Sequence, residues 1–161
     1  MSLRLDYCNS LLFGVTESLV QRLQADQNAA ARLVSGTRRS EHITPVLRQL
    51  HWLPVRQRIE FKMAVLMCKA LNGLSPQYLA DDCQLITTTG RWRLPSSNVT
   101  TCDVPRTCTT LGDRSFAAAG PHLWNNLPLH LRDFELSIFE FRRLLKMHLF
   151  GWKSQPLVTY F

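Results

Sequence analysis

The chain has 161 residues, enough for one ordinary domain with a sizeable core. Hydrophobic residues make up 45% of it, which is typical of a globular protein and too high for a disordered one. The net charge is +7, from 19 Lys and Arg against 12 Asp and Glu, and most of the basic residues are Arg. A basic excess favours a polyanionic partner, although many basic proteins bind no nucleic acid.

The sequence indicates neither a membrane-spanning segment nor a metal site. There is no apolar run of about 18 residues and no apolar signal core at the N-terminus, so we expect no membrane partner and an intracellular location, nuclear or cytoplasmic. The five cysteines are an odd number, which is a poor basis for a disulfide framework. The spacing of Cys102 and Cys108 does not fit zinc ligands. We therefore expect reduced thiols, no metal site and no cofactor.

The first predicted helix spans residues 16–35. Thr16 is in position to cap its N-terminus, and Gly36 ends it by accepting the left-handed conformation. Its predicted apolar face consists of four residues at helical spacing, Leu19, Leu23, Ala30 and Val34.

The next two helices are predicted at residues 44–51 and 54–72. Each has proline at its predicted first position, Pro45 in the shorter helix and Pro54 in the longer one. The longer helix has a clear apolar stripe of Val55, Ile59, Met63, Leu66 and Ala70. Short loops between these helices predict a small helical bundle over residues 1–82.

The character of the chain changes after this bundle. Residues 83–111 are polar and rich in turn-forming residues, which predicts a long irregular linker. Residues 112–150 form a C-terminal helical segment with helices predicted at 113–126 and 137–149, the second opened by a Ser-x-x-Glu capping box. The tail, residues 151–161, has no pattern and is expected to fray. The expected fold is mainly α: a small helical bundle, a long irregular linker, then further C-terminal helices.

The sequence contains no recognisable catalytic site. A polymerase needs carboxylates that hold two metal ions, and the adjacent pair Asp81 and Asp82 is predicted at the end of a short helix rather than on a strand turn. The five histidines are scattered, and no nucleophile motif accompanies them. We therefore expect that the chain is not an enzyme by itself.

Phosphate binding by arginine is the remaining candidate chemistry. The candidate nucleic-acid-binding residues are Arg38, Arg39, Arg56, Arg58, Arg91, Trp92 and Arg93. The last three place a stacking face between two cations, which suits a single strand, but a solvent-exposed loop whose Trp92 covers the core explains them equally well. A basic row on the last helix, which consists of Arg142, Arg143 and Lys146, is more typical of a solvated face than of a binding face.

Several strings are too particular to be explained by composition. They are LDYCNSLL at 5–12, QNAAARLV at 27–34, HWLPV at 51–55 and GDRSFAAAGPHLWNNLP at 112–128, which we call the signature segment. In this order they resemble the segment after the reverse transcriptase core in the polyprotein of LINE-type, non-LTR retrotransposons of the Jockey-like superfamily. The resemblance covers residues 5–150, and the chain departs from it where Gly120 stands in place of the family's Ala.

The resemblance implies a role but supplies no catalytic site. Helices that follow the polymerase palm act as a thumb and help to hold the template–primer duplex, so the first bundle is expected to contact RNA or an RNA–DNA duplex. The polymerase and endonuclease motifs are missing, so the expectation is a non-catalytic C-terminal fragment. The alternative is a helical protein-interaction module or a non-functional relic of a retroelement.

Overall fold

The computed structural model describes residues 12–86 and 101–151 of the chain, so the predicted fraying of the tail lies outside them. The described residues are mainly α-helical, as predicted, and their only β-type pairing is an isolated antiparallel bridge between Leu85 and Cys102. The helices are α1 (Glu17–Ser35), α2 (Ile43–Gln49), α3 (Val55–Leu71), α4 (Gln77–Asp81), α5 (Thr110–Asp113), α6 (Phe116–Asn126) and α7 (Ile138–Leu149). A 3-10 turn, Leu129–Leu131, lies between α6 and α7. Among the described residues, no helix is both long and apolar enough to cross a membrane.

Helix α3 is central, because α1, α6 and α7 all pack against it. Most of its predicted apolar stripe is buried, including Met63 at 1% and Ala70 at 5% exposure, whereas Leu66 is only half-buried. The largest core cluster joins α3 to Trp124 of α6 and Phe141 of α7, whose ring centroids are 5.9 Å apart. The first bundle and the C-terminal segment therefore contribute to one hydrophobic cluster.

The predicted apolar face of α1 is wrong. Leu19 and Val34 are 48% and 64% exposed, and the buried residues of the helix are instead Val20, Gln27 and Ala31. The helix is thus rotated relative to its hydrophobic pattern, and a polar side chain occupies the middle of its buried face.

Two glutamines of α1 explain this rotation. The buried Gln27 donates through Nε2 to the carbonyl of Leu53 at 2.8 Å, and Gln24 Oε1 accepts from the N–H of Val55 at 2.8 Å. The first N–H groups of a helix have no partner inside the helix. Gln24 supplies that partner for α3, so the contact between the helices is polar at its centre.

Several helix ends were predicted correctly. Gly36 has a left-handed φ of 69°, and its N–H donates to the carbonyl of Arg32 at 2.9 Å. Ser137 and Glu140 form both hydrogen bonds of the capping box at the start of α7. The positions of the prolines differ by a residue or two from the prediction: Pro45 lies inside the first turn of α2, and Pro54 precedes α3 as its capping residue. The first turn tolerates proline because its N–H groups are unpaired there.

A continuous helix from residue 113 to residue 126 is also wrong. Ser115 adopts an extended conformation with ψ of 150° and separates α5 from α6. At the break, Ser115 Oγ donates to the Gly112 carbonyl at 2.7 Å, while Thr109 Oγ1 caps the start of α5 by accepting from the N–H of Gly112 at 3.0 Å. Pro121 lies within α6 without ending it.

Gly120 marks the closest approach of α6 to α3. A Cβ atom at this position would lie 2.6 Å from Met67 Sδ, which is closer than any normal contact. Met67 is fully buried, so little space exists for it to move away. The absence of a side chain at Gly120 therefore allows the two helices to pack at their observed separation.

Candidate nucleic-acid interface

A basic cleft of about 440 Å³ lies between the N-terminal half of α3 and one face of α7. Its walls carry five cationic side chains and three aromatic ones. The cations are Arg58, Lys62, Arg142, Arg143 and Lys146, and the aromatic residues are Trp52, Phe61 and Phe139. His51 and Leu53 complete the lining. We call these ten residues the basic cleft.

Helical spacing explains why the cations lie together. Arg58 and Lys62 are four residues apart on α3 and so share a face. The cleft residues of α7 follow the same period and are Phe139, Arg142, Arg143 and Lys146. On the opposite side of α7, Phe141 and Leu145 are 1% and 0% exposed. Their burial fixes the rotation of α7 and leaves its basic row at the cavity that it lines together with residues of α3.

The aromatic residues of the basic cleft differ in exposure. Trp52 and Phe61 are half-buried and pack on the core clusters, whereas Phe139 is 78% exposed at the rim. Trp52 follows His51, whose left-handed φ of 55° ends α2. The N–H of Trp52 donates to the Leu47 carbonyl at 2.8 Å, which holds the chain at this turn.

The described lining of the basic cleft has an excess of positive charge. None of the described residues that line it is acidic. Within residues 12–86 and 101–151, Lys62, Arg142, Arg143 and Lys146 form no ion pair, in contrast to Arg56, which pairs with Glu17. Cations held close together repel one another, and a polyanion that binds among them relieves this repulsion.

Of the four predicted candidates among the described residues, the structure brings one, Arg58, into the basic cleft. Arg56 lies elsewhere on α3 in its ion pair with Glu17. Arg38 and Arg39 are exposed in the turn after α1, where Arg39 lines a separate shallow cavity. The remaining candidates, Arg91, Trp92 and Arg93, lie outside the described residues.

Sequence reasoning missed most of the basic cleft. It identified the basic row of Arg142, Arg143 and Lys146 but favoured a solvated face, and it gave no role to Lys62 or Phe139. Each half is an ordinary basic helix face when considered alone. The capping box of α7 was the one sequence signal that bears on the basic cleft, because it fixes where the helix begins. The packing of α7 against α3 is a tertiary contact, and no local sequence pattern predicts it.

Buried titratable groups elsewhere do not form a second site. Burial raises the pKa of Glu60, although the charges of Arg56 and His148 partly offset this effect. Burial also raises the pKa of Cys102 to about 12 and that of Cys83 to about 11, so both thiols are protonated at neutral pH. Among the described residues, no group of three or more His, Cys, Asp and Glu side chains is placed to hold a metal ion.

Comparisons with known proteins add no identification. No family model matches the chain, and no curated protein or solved structure matches it either.

Proposed function

We propose that the chain is a non-catalytic, nucleic-acid-binding part of a LINE-type retrotransposon reverse transcriptase, from the region after the polymerase core. The observation that carries this proposal is the basic cleft, in which five cations and three aromatic side chains face one cavity. Lys and Arg contact phosphates, and aromatic rings stack on bases. The resemblance of the four sequence strings to this family is an independent reason for the same proposal.

The expected ligand is RNA or RNA–DNA duplex, bound weakly and without sequence preference. The described residues offer cations and rings but no constellation that reads base edges, and phosphate contacts alone carry no sequence information. In the parent polyprotein the chain would help to hold nucleic acid, while another part of the polyprotein supplies the polymerase chemistry.

Fluorescence anisotropy with labelled RNA tests the proposal. Affinity is expected to fall steeply as salt rises, because phosphate contacts release counterions. A double variant, Arg142→Gln with Arg143→Gln, removes two cleft cations that are exposed and leaves the core residues of α7 in place. We expect it to lower affinity by about tenfold at low salt and to reduce the salt slope by roughly 1–2.

The matched control is Arg22→Gln with Arg106→Gln, which removes the same charge from exposed positions outside the basic cleft. It should weaken binding much less than the cleft variant. Equal losses in the two variants would show that net charge alone drives binding. Affinity that is independent of salt and unchanged in both variants would contradict the proposal.

A protein-interaction module is the second candidate function. Leu33 and Val34, which are 86% and 64% exposed on α1, favour it because they lie side by side near the end of the helix. If the chain binds no RNA, and replacing both residues by Ser abolishes its association with another protein, this second function is the better explanation.

A further inference from the structure

We infer that the basic cleft binds unpaired nucleotides, with a base stacked on Phe139 and the adjoining phosphates on the cations of α7 and α3. This inference rests on the proposed function and narrows its ligand, RNA or an RNA–DNA duplex, to an unpaired stretch of RNA. Three observations lead to it: the size of the cavity, the exposure of Phe139, and the order of residues along α7.

The cavity has the size of a small ligand. Its volume of about 440 Å³ lies in the range of pockets for small molecules and cofactors, roughly 300–1,000 Å³. A nucleic-acid duplex is far wider than this cavity; in B-form DNA, for example, the two grooves alone are about 12 and 6 Å across. A duplex can therefore touch the rim of the basic cleft through its phosphates, whereas an unpaired nucleotide can enter it.

Phe139 is the residue that distinguishes the two ligands. It is 78% exposed, while Phe141, two positions along the same helix, is 1% exposed and packs on Trp124. Phe139 is therefore not a core residue of the described fold. In a duplex the bases stack on each other and show only their edges, so an exposed ring meets a base face only where a strand is unpaired.

The order of residues along α7 matches a nucleotide backbone beside a stacked base. Phe139 lies in the first turn, Arg142 and Arg143 follow one turn later, and Lys146 follows after another turn. At 1.5 Å per residue, this row extends about 10 Å along the helix axis. Across the cavity, Arg58 and Lys62 of α3 offer further phosphate contacts. The arrangement can therefore hold one base on Phe139 and the adjoining phosphates on the cations.

The test compares a short fluorescein-labelled oligouridylate with the same strand annealed to its complementary DNA, at low salt. The unchanged protein should bind the single strand more tightly than the duplex. Phe139→Ala should weaken single-strand binding by about fivefold or more and leave duplex binding unchanged, because it removes stacking and not charge. Phe139→Trp should restore single-strand binding. Tyr78→Ala, which removes a 68% exposed aromatic ring on α4, is the control and should change neither affinity.

The outcomes separate this inference from the proposed function. Duplex binding as tight as single-strand binding, or Phe139→Ala binding both probes like the unchanged protein, would overturn the inference and leave the proposed function standing. No salt-dependent binding of either probe would overturn both. Phe139 is exposed, so circular dichroism should show that all its variants keep the helical fold.

Discussion

Replacing Asn125 by alanine is expected to lower the free energy of unfolding by about 2–4 kcal/mol. The side chain of Asn125 holds the backbone of Cys102 on both sides. Its Oδ1 accepts from the N–H of Cys102, and its Nδ2 donates to the carbonyl of Cys102, each at 2.9 Å. Cys102 is only 1% exposed, so water has little access to these groups when the amide is removed.

The magnitude follows from the pairing around Cys102. In its bridge with Leu85, the hydrogen bonds are made by the flanking residues, Ile86 N–H to Thr101 and Asp103 N–H to Gln84. The N–H and carbonyl of Cys102 therefore point away from the bridge and toward Asn125. Each backbone group left buried without a partner costs about 1–3 kcal/mol, and partial hydration of the half-buried site reduces the sum.

Guanidinium unfolding followed by tryptophan fluorescence, to which the buried Trp124 contributes, and by circular dichroism measures the effect. Asn126→Ala is the matched control, because Asn126 is the adjacent amide on α6 but is exposed, with one side-chain contact to His122. Asn125→Asp keeps the shape and the acceptor but places a negative charge against a carbonyl, so it should destabilise at least as much. If Asn125→Ala unfolds within about 0.5 kcal/mol of Asn126→Ala, the double hydrogen bond does not stabilise the fold as argued.

Two further predictions concern buried polar groups. Gln27→Glu should lower the free energy of unfolding by about 2–4 kcal/mol at neutral pH, because a buried carboxylate would face the carbonyl to which Gln27 now donates. This loss of stability should shrink as the pH falls and the carboxyl is protonated. In the same denaturant titration the control variant Gln24→Glu, which keeps an acceptor at the start of α3, should be about as stable as the unchanged protein. For the thiols, burial raises the pKa of Cys102 to about 12 and that of Cys83 to about 11, from an ordinary 9.0. A thiol reagent near pH 8 should therefore modify the exposed Cys108 much faster than either buried thiol. The free energy of unfolding should fall as the pH rises above 9, because the unfolded chain releases these protons at lower pH than the folded chain does. Rapid modification of Cys102 without unfolding, or stability that is constant from pH 8 to 11, would contradict the second prediction.

Local signals predicted the helices well because their causes lie within a few residues. The capping box at Ser137 needs only Glu140, and the stop at Gly36 needs only its own freedom to adopt a positive φ. The apolar stripe of α3 was also predictable. Several other helices pack around this helix, so an apolar residue on almost any side of it is at least partly buried.

Two of the failures have tertiary causes, and one has a local cause. The buried face of α1 could not be predicted from hydrophobicity, because Gln27 is buried and donates to a carbonyl at the start of another helix. At the helix break, Ser115 Oγ donates to the nearby Gly112 carbonyl, a local hydrogen bond that competes with helix continuation. The basic cleft required knowledge that α7 packs on α3, and Arg58 was selected from the sequence only because it lies in a basic first turn.

The signature segment contributes core packing, whereas the basic cleft offers a binding surface, and the packing of the segment positions that surface. The residues that make the segment recognisable are used in the core: Gly120 lets α6 approach α3, Trp124 packs on Phe141, and Asn125 holds Cys102. None of them lines the basic cleft. Because Phe141 packs against Trp124, however, the rotation of α7 is fixed, and its cations and Phe139 lie where they line the cavity shared with α3. The resemblance of this segment to the family therefore concerns the core that positions the basic cleft. The side chains that would bind nucleic acid lie outside the segment.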